Sequence, residues 1–239
     1  MTRFYCPTIS DGALDRAAAH HARKVLRLTV GDECEVFDGD GTVARARLTV
    51  VGKQAVQFAT VSVSRQPAPD YRIILGQAIP KAKAWDFILQ KATELGLSEL
   101  CPLATANAVV QIGDADRDAK HEKWRQTLIE ACKQCGQNYL PRLRPPQNLA
   151  SFLAATAGFK GLKLIASLQP GAQPLPAVLD AAADRAVLFL IGPEGDFTAE
   201  ETQLSISAGF IPVTLGPLVL RVETAALFTL SVLAHHLAR

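Results

Sequence analysis

Four side chains stand where this sequence could use them for chemistry. Glu194 lies in Ile191-Gly192-Pro193-Glu194-Gly195, at the end of the apolar run VLFLI. A carboxylate between two turn residues can act as a catalytic acid, touch a cofactor or close a polar turn. Arg221 and Glu223 sit at the mouth of an apolar helix, in LGPLVLRVETAALF (215–228). A guanidinium there can hold developing negative charge through paired hydrogen bonds. The carboxylate can complement the helix N-terminus. The plainer account of the two is a local ion pair. Thr224, Ala225 and Ala226 follow, and their small side chains would let a flat ligand approach the backbone. Glu94 stands three residues after Lys91 on one helix, the spacing of a surface pair, but at the end facing the next loop.

Other groups point away from common chemistries. Cys132-Lys-Gln-Cys135 has no second Cys or His pair at zinc spacing, so packing is the expected role and no metal site is expected. His235 and His236 fall in the last turn of a helix, where the dipole favours cations. There is no G-x-S-x-G, no GK[ST] loop and no G-x-G-x-x-G. Two strand-to-helix loops contain Gly-Pro: Gly192-Pro193 and Gly216-Pro217. Pro193 lacks an N–H and makes a poor phosphate cradle. Backbone-rich loops with apolar flanks suit an adenine or a thioether better, unless the glycines only make tight turns.

The elements that must position these residues fall into two grammars. The first ~65 residues read as β. ECEVF (33–37), TVARARLTV (42–50) and AVQFATVSV (55–63) are strands, with a hairpin turn at Asp38-Gly39-Asp40-Gly41. Ala44, Ala46 and Leu48 alternate with Val43, Arg45 and Arg47, giving one apolar and one partly basic face. A helix over 15–26 precedes them. HHARKVLR (20–27) gathers Arg23, Lys24 and Arg27 without an acid, which reads either as a phosphate-binding face or as a solvated helix. SRQPAPDY (64–71) is a stiff linker, and we place the domain boundary at residue 67, dividing the chain into 1–67 and 68–239.

Beyond it, strands and helices alternate. RIILGQA (72–78), SELCPL (98–103), GLKLIASL (161–168), AVLFLI (186–191) and FIPVTL (210–215) are near-continuous apolar runs, as a mainly parallel sheet covered on both faces requires. Helices are expected over 83–96, with Trp85, Leu89, Ala92 and either Ile88 or Leu95 inward, and over 118–136, with Trp124, Leu128, Cys135 and either Ala131 or Cys132 on one stripe. Two more follow, over 198–209 with Thr198 and Glu201 as a capping box, and over 222–238. The 239 residues can bury a sizeable core, and a net charge of +2 does not by itself announce a nucleic-acid partner. No signal-peptide core or membrane-length apolar run is visible, so a cytoplasmic setting is expected, with no membrane partner. Five scattered cysteines do not suggest a disulfide framework.

Taken together, GPEGDFTAEE and LGPLVLRVETAAL resemble the two signature loops of the SPOUT-class RNA methyltransferases, and within them the bacterial 16S rRNA (uracil-N3)-methyltransferases. HHARKVLRLTVGDECEVFDGDG, AIPKAKAWDFILQKATELGLSELCPL and KWRQTLIEACKQCGQNYLPRL extend the likeness over most of the chain. The resemblance implies a C-terminal SPOUT domain with a trefoil knot holding S-adenosylmethionine, and an N-terminal PUA-like β-barrel that binds RNA. It implies a homodimer acting on 16S rRNA within the small ribosomal subunit. Carried over by position, the cofactor residues are Leu168, Ile191, Gly192, Pro193, Glu194, Leu215, Gly216, Leu220, Thr224 and Ala225. Arg221 is the residue nearest the transfer chemistry, with Glu94 and Glu223 as candidate bases. Arg3, Arg23, Lys24 and Arg27 are the expected RNA contacts. Methylation of a tRNA ribose 2′-hydroxyl and a non-catalytic assembly role are the rival readings. Asp196 stands where the family usually has Gly, and ATANAVV (104–110), GQN (136–138) and Pro217-Leu218 replace more basic runs. These departures bear on RNA docking more than on the cofactor pocket.

Overall fold

The computed structural model describes residues 1–108 and 114–238. Its contacts divide the chain into one unit of 1–69 with 129–140, and a second of 70–128 with 141–238.

In the first unit, β1 (Arg3–Tyr5) pairs parallel with β2 (Glu33–Phe37), preceded by α1 (Arg16–His20); β3 (Thr42–Val51) and β4 (Val56–Arg65) continue the sheet antiparallel in the order β1-β2-β3-β4. The Asp15 carboxylate caps α1 by accepting from the Ala18 N–H at 2.7 Å. The helix expected over 15–26 is α1 continued by a π turn over His21–Val25. In β3, Ala44, Ala46 and Leu48 are buried and Arg45 and Arg47 exposed, as the alternation requires. Phe4, Cys34, Val36, Val56 and Phe58 complete the core. The Asp38 carboxylate closes the hairpin by accepting from the N–H groups of Asp40 and Thr42. Strand β1 was not expected, because three residues are too few to show an alternation.

The second unit runs β5 (Arg72–Ala78), α2 (Ala82–Glu94), β6 (Glu99–Ala104), α3 (Asp114–Cys135, of which 129–135 belong to the first unit), β7 (Arg142–Leu143), β8 (Gln147–Asn148), α4 (Leu149–Ala155), β9 (Leu162–Ala166), β10 (Gln173–Pro174), α5 (Leu175–Asp180), β11 (Ala186–Ile191), α6 (Ala199–Ser207), β12 (Ile211–Thr214) and α7 (Val222–Leu237). Its strands form a parallel sheet in the order β10-β12-β9-β11-β5-β6-β7, with β8 also on β6. The α/β class with a mainly parallel sheet is as expected. The core holds Ile73, Leu75, Leu164, Leu188, Phe189 and Leu190, with helices covering the sheet. Helix α2 buries Trp85, Ile88, Leu89 and Ala92, so Ile88 rather than Leu95 completes its stripe. The Trp85 and Trp124 rings meet edge to face at 5.1 Å.

Three differences from the sequence reading have local causes. Helix α3 begins four residues earlier than expected, because its polar first turn carries no apolar period. Cys135 is exposed, not on the buried stripe; both Ala131 and Cys132 are buried instead. The short elements β7, β8, α4, β10 and α5 were not foreseen, although Asn148 caps α4 by accepting from the Ser151 N–H at 2.8 Å. Val109 and Val110, the end of the ATANAVV run, lie outside the described residues.

Candidate active site

Parallel strands bring their C-terminal ends to one edge of a sheet, where open α/β sheets bind ligands. Here β5, β9, β11 and β12 are neighbours in the order β12-β9-β11-β5, and the segments that follow them line a cavity of about 840 Å³.

From β11, the chain enters the first loop. Ile191, Gly192 and Pro193 are buried and Glu194 is exposed; all four line the cavity. A Cβ on Gly192 would come within 3.1–3.2 Å of Asp196 and Phe197, so a side chain there would require these neighbours to shift by a few tenths of an ångström. The Asp196 N–H donates to the Pro193 carbonyl at 2.9 Å, and Asp196 itself takes φ 59°. This left-handed conformation favours Gly and is tolerated by Asp, whose side chain bonds locally. Its carboxylate accepts from the Phe197 N–H at 2.8 Å. Thr198 and Glu201 then form the expected capping box at the start of α6. Asn107 braces the loop, its Nδ2 donating to the carbonyls of Gly195 and Asp196.

From β12 comes the second loop. Leu215, Gly216 and Leu220 line the cavity. Gly216 has φ 128°, a conformation that favours glycine, and the Thr214 hydroxyl bonds both its N–H and its carbonyl. Arg221 is the N-cap residue of α7, and it lines the cavity together with Glu223, two residues on in the first turn. Among the described residues neither side chain has an ion pair or hydrogen bond, so the local pair that the sequence allowed is not formed. The guanidinium is free to receive a ligand.

Strand β9 delivers Ser167 and Leu168, and α7 adds Ala225. Of the ten positions carried over as cofactor contacts, nine line this one cavity; Thr224 does not, and is exposed on α7. Glu94 is also outside it. Its carboxylate accepts from Lys91 Nζ at 2.7 Å, seven residues along α2 from Phe87 on the cavity wall, or roughly 10 Å at helical rise. The sequence reading missed Lys81, Lys83, Ala84 and Phe87 on that wall. A usable signal was there: PKAK directly follows the β5 run, at a strand's C-terminal end.

In the first unit, Lys24 and Arg27 are exposed and Arg23 is half-buried on the π turn, with Arg27 at φ 55°. Arg3 differs. It donates to Glu35, to the Cys132 carbonyl and to Asn138, and its guanidinium lies 4.6 Å from the Phe37 ring centroid. Its side chain is 10% exposed, so it is engaged inside its unit rather than offered to RNA.

Known proteins are similar to this chain in sequence and fold. The RNA methyltransferase domain family matches residues 66–234. This chain belongs to that family. The family's RNA methyltransferase PUA domain matches residues 14–61, so the N-terminal module is PUA-like. A ribosomal RNA small subunit methyltransferase E of Synechocystis is 33% identical over 213 residues, covering 89% of this chain and 69% of that protein. The structure of a Legionella pneumophila methyltransferase with bound SAM matches with a TM-score of 0.88 at 34% identity, over 98% of this chain and 97% of that one. A Neisseria gonorrhoeae ribosomal RNA small subunit methyltransferase E bound to S-adenosyl methionine gives 0.86 at 30% identity, with the same coverage. For an RNA methyltransferase, the cavity offers a fitting cofactor site. Its volume is that of a pocket for a drug-sized ligand, and Ile191, Leu215, Leu220 and Ala225 give it apolar walls beside two lengths of loop backbone.

Proposed function

We propose that this chain methylates N3 of a uracil in the 16S rRNA of the small ribosomal subunit, using S-adenosylmethionine held between the two loops. The observation that carries the reading is the unpaired Arg221 guanidinium, placed in the same cavity as both cofactor loops. The small-subunit methyltransferase relatives support the substrate class.

When bound, S-adenosylmethionine supplies a methyl group on a positively charged sulfur. The uracil imide must lose its N3 proton before that nitrogen is a good nucleophile, which places negative charge on O2 and O4. Arg221 can receive that charge through parallel N–H donors. In this reading Glu223, half-buried at the cavity and without a partner among the described residues, accepts the proton in preference to Glu94, which is bound to Lys91 outside the cavity. Glu194 has its place in the loop wall, where its charge favours a cationic ligand at a distance. The apolar walls exclude water and fix the alignment of the reacting atoms.

The first unit, with Arg23, Lys24 and Arg27, would grip folded RNA by its phosphates, while the target uridine is turned out of its stack. A cytoplasmic homodimer acting on assembled subunits, with the C-terminal loops threaded as a trefoil knot, completes the proposal. Among the described residues no helix is long and apolar enough to cross a membrane. Small-subunit rRNA from cells with and without this chain should differ by one 3-methyluridine in nucleoside mass spectrometry. Identical rRNA from the two would remove the assignment.

A further inference from the structure

Helix α2 gives the cavity a wall unlike the two loops. Lys83 and Phe87 are one turn apart on one helix face, and both line the cavity with Lys81. Phe87 is 43% exposed. Lys81 and Lys83 are exposed and, among the described residues, have neither an ion pair nor a hydrogen bond. They also stand where a helix dipole disfavours cations, with no acid in the first turn to offset them. S-adenosylmethionine is cationic overall, its one carboxylate notwithstanding, so two unpartnered ammonium groups beside its cavity favour a further, anionic ligand. The facing tip of the second loop carries Leu218 and Val219, 74% and 79% exposed. Cations interleaved with an exposed aromatic, beside apolar side chains at a cavity mouth, are the parts of a single-stranded nucleic-acid platform.

We propose that α2 is the nucleotide-holding wall of the site: Phe87 stacks on the uracil turned into the cavity, and Lys81 and Lys83 bind the phosphates that flank it. This inference rests on the proposed function and adds a substrate-binding surface on the catalytic unit itself. Charge complementarity and continuity with the Arg221 cavity favour RNA as occupant over a second copy of this chain.

The test uses the full chain. A fluorescein-labelled single-stranded oligouridylate is titrated in the presence of S-adenosylhomocysteine, with anisotropy read over a salt series. Phe87→Leu should weaken binding about tenfold or more, while Phe87→Trp retains it, because only the aromatic variant can stack. Lys81→Ala with Lys83→Ala should flatten the slope of log affinity against log salt by about 1.4, two phosphate contacts on a single strand. Calorimetry with S-adenosylmethionine should give wild-type affinity for all variants. Sedimentation should give an unchanged oligomeric state. Phe87→Leu binding like wild type, lysine variants that instead weaken cofactor binding, or Phe87→Leu dissociating the assembly would each overturn the assignment. A wild type that methylates small-subunit rRNA but shows none of these differences loses the α2 wall and keeps the proposed function. A wild type with no methyl transfer loses the proposed function itself.

Discussion

Arg221 is distinguished from most other arginines of this chain by what it lacks. Arg3, Arg45, Arg47, Arg65, Arg72, Arg125, Arg144 and Arg185 all have carboxylate partners, whereas Arg221 faces a cavity and has none among the described residues. Replacing it with Ala should therefore leave stability and cofactor affinity near wild type, yet lower the single-turnover methylation rate about 10²–10³-fold. Near-normal single-turnover rates would remove its electrostatic role. Asp196 tests a balance of two terms. A left-handed residue other than Gly costs about 1 kcal/mol or more, and the hydrogen bond to the Phe197 N–H returns about 0.5–1.5 kcal/mol. Asp196→Gly should thus shift thermal stability by less than about 1 kcal/mol, whereas Asp196→Ala keeps the strain, loses the bond and should cost more. Equal melting temperatures for the Gly and Ala variants would contradict this account of the loop. Both loops were legible in the sequence because each is a contiguous motif. The engagement of Arg3 was not, since its partners Glu35, Cys132 and Asn138 lie up to 135 residues away and meet it only on folding.

At the scale of elements, long apolar strands and capped helices announced themselves. AVLFLI and the Thr198–Glu201 box appear in the structure where the pattern put them. What could not be read is which strand ends become neighbours. Lys81 and Phe87 join Arg221 only because β5 lies beside β11, β11 beside β9 and β9 beside β12, an order set by long-range pairing. The same sheet contains a buried acid on β6. Glu99, 4% exposed, is raised by burial, but hydrogen bonds from Arg144 and Arg72 outweigh that and hold its carboxyl below its ordinary 4.5. A carboxylate with a depressed folded value stabilises the protein fully above its unfolded pKa and loses that contribution as pH falls through the lower folded one. Melting temperature should therefore fall below about pH 4.5 more steeply in the wild type than in Glu99→Gln. The Gln variant should itself be less stable at pH 7, where two half-exposed arginines lose their partner. Parallel pH profiles for the two proteins would show that the triad carries no linked stability.

Across the whole molecule, the two units divide the labour that RNA modification demands. In the proposed function, the PUA-like module with its exposed basic turn would supply sequence-independent grip, and the parallel α/β unit the pocket. The modest net charge of +2 does not show this, because the basic side chains that the proposals use are gathered locally, at Arg23, Lys24 and Arg27 and at Lys81 and Lys83. The account's central claim is the atom that receives the methyl group. The most direct measurement incubates the purified chain with methyl-labelled S-adenosylmethionine and small ribosomal subunits that lack the modification, then digests the rRNA to nucleosides for mass spectrometry. The account predicts one labelled 3-methyluridine per subunit, lost with Arg221→Ala. Label on a ribose 2′-oxygen or on another base, or no label at all, would contradict it.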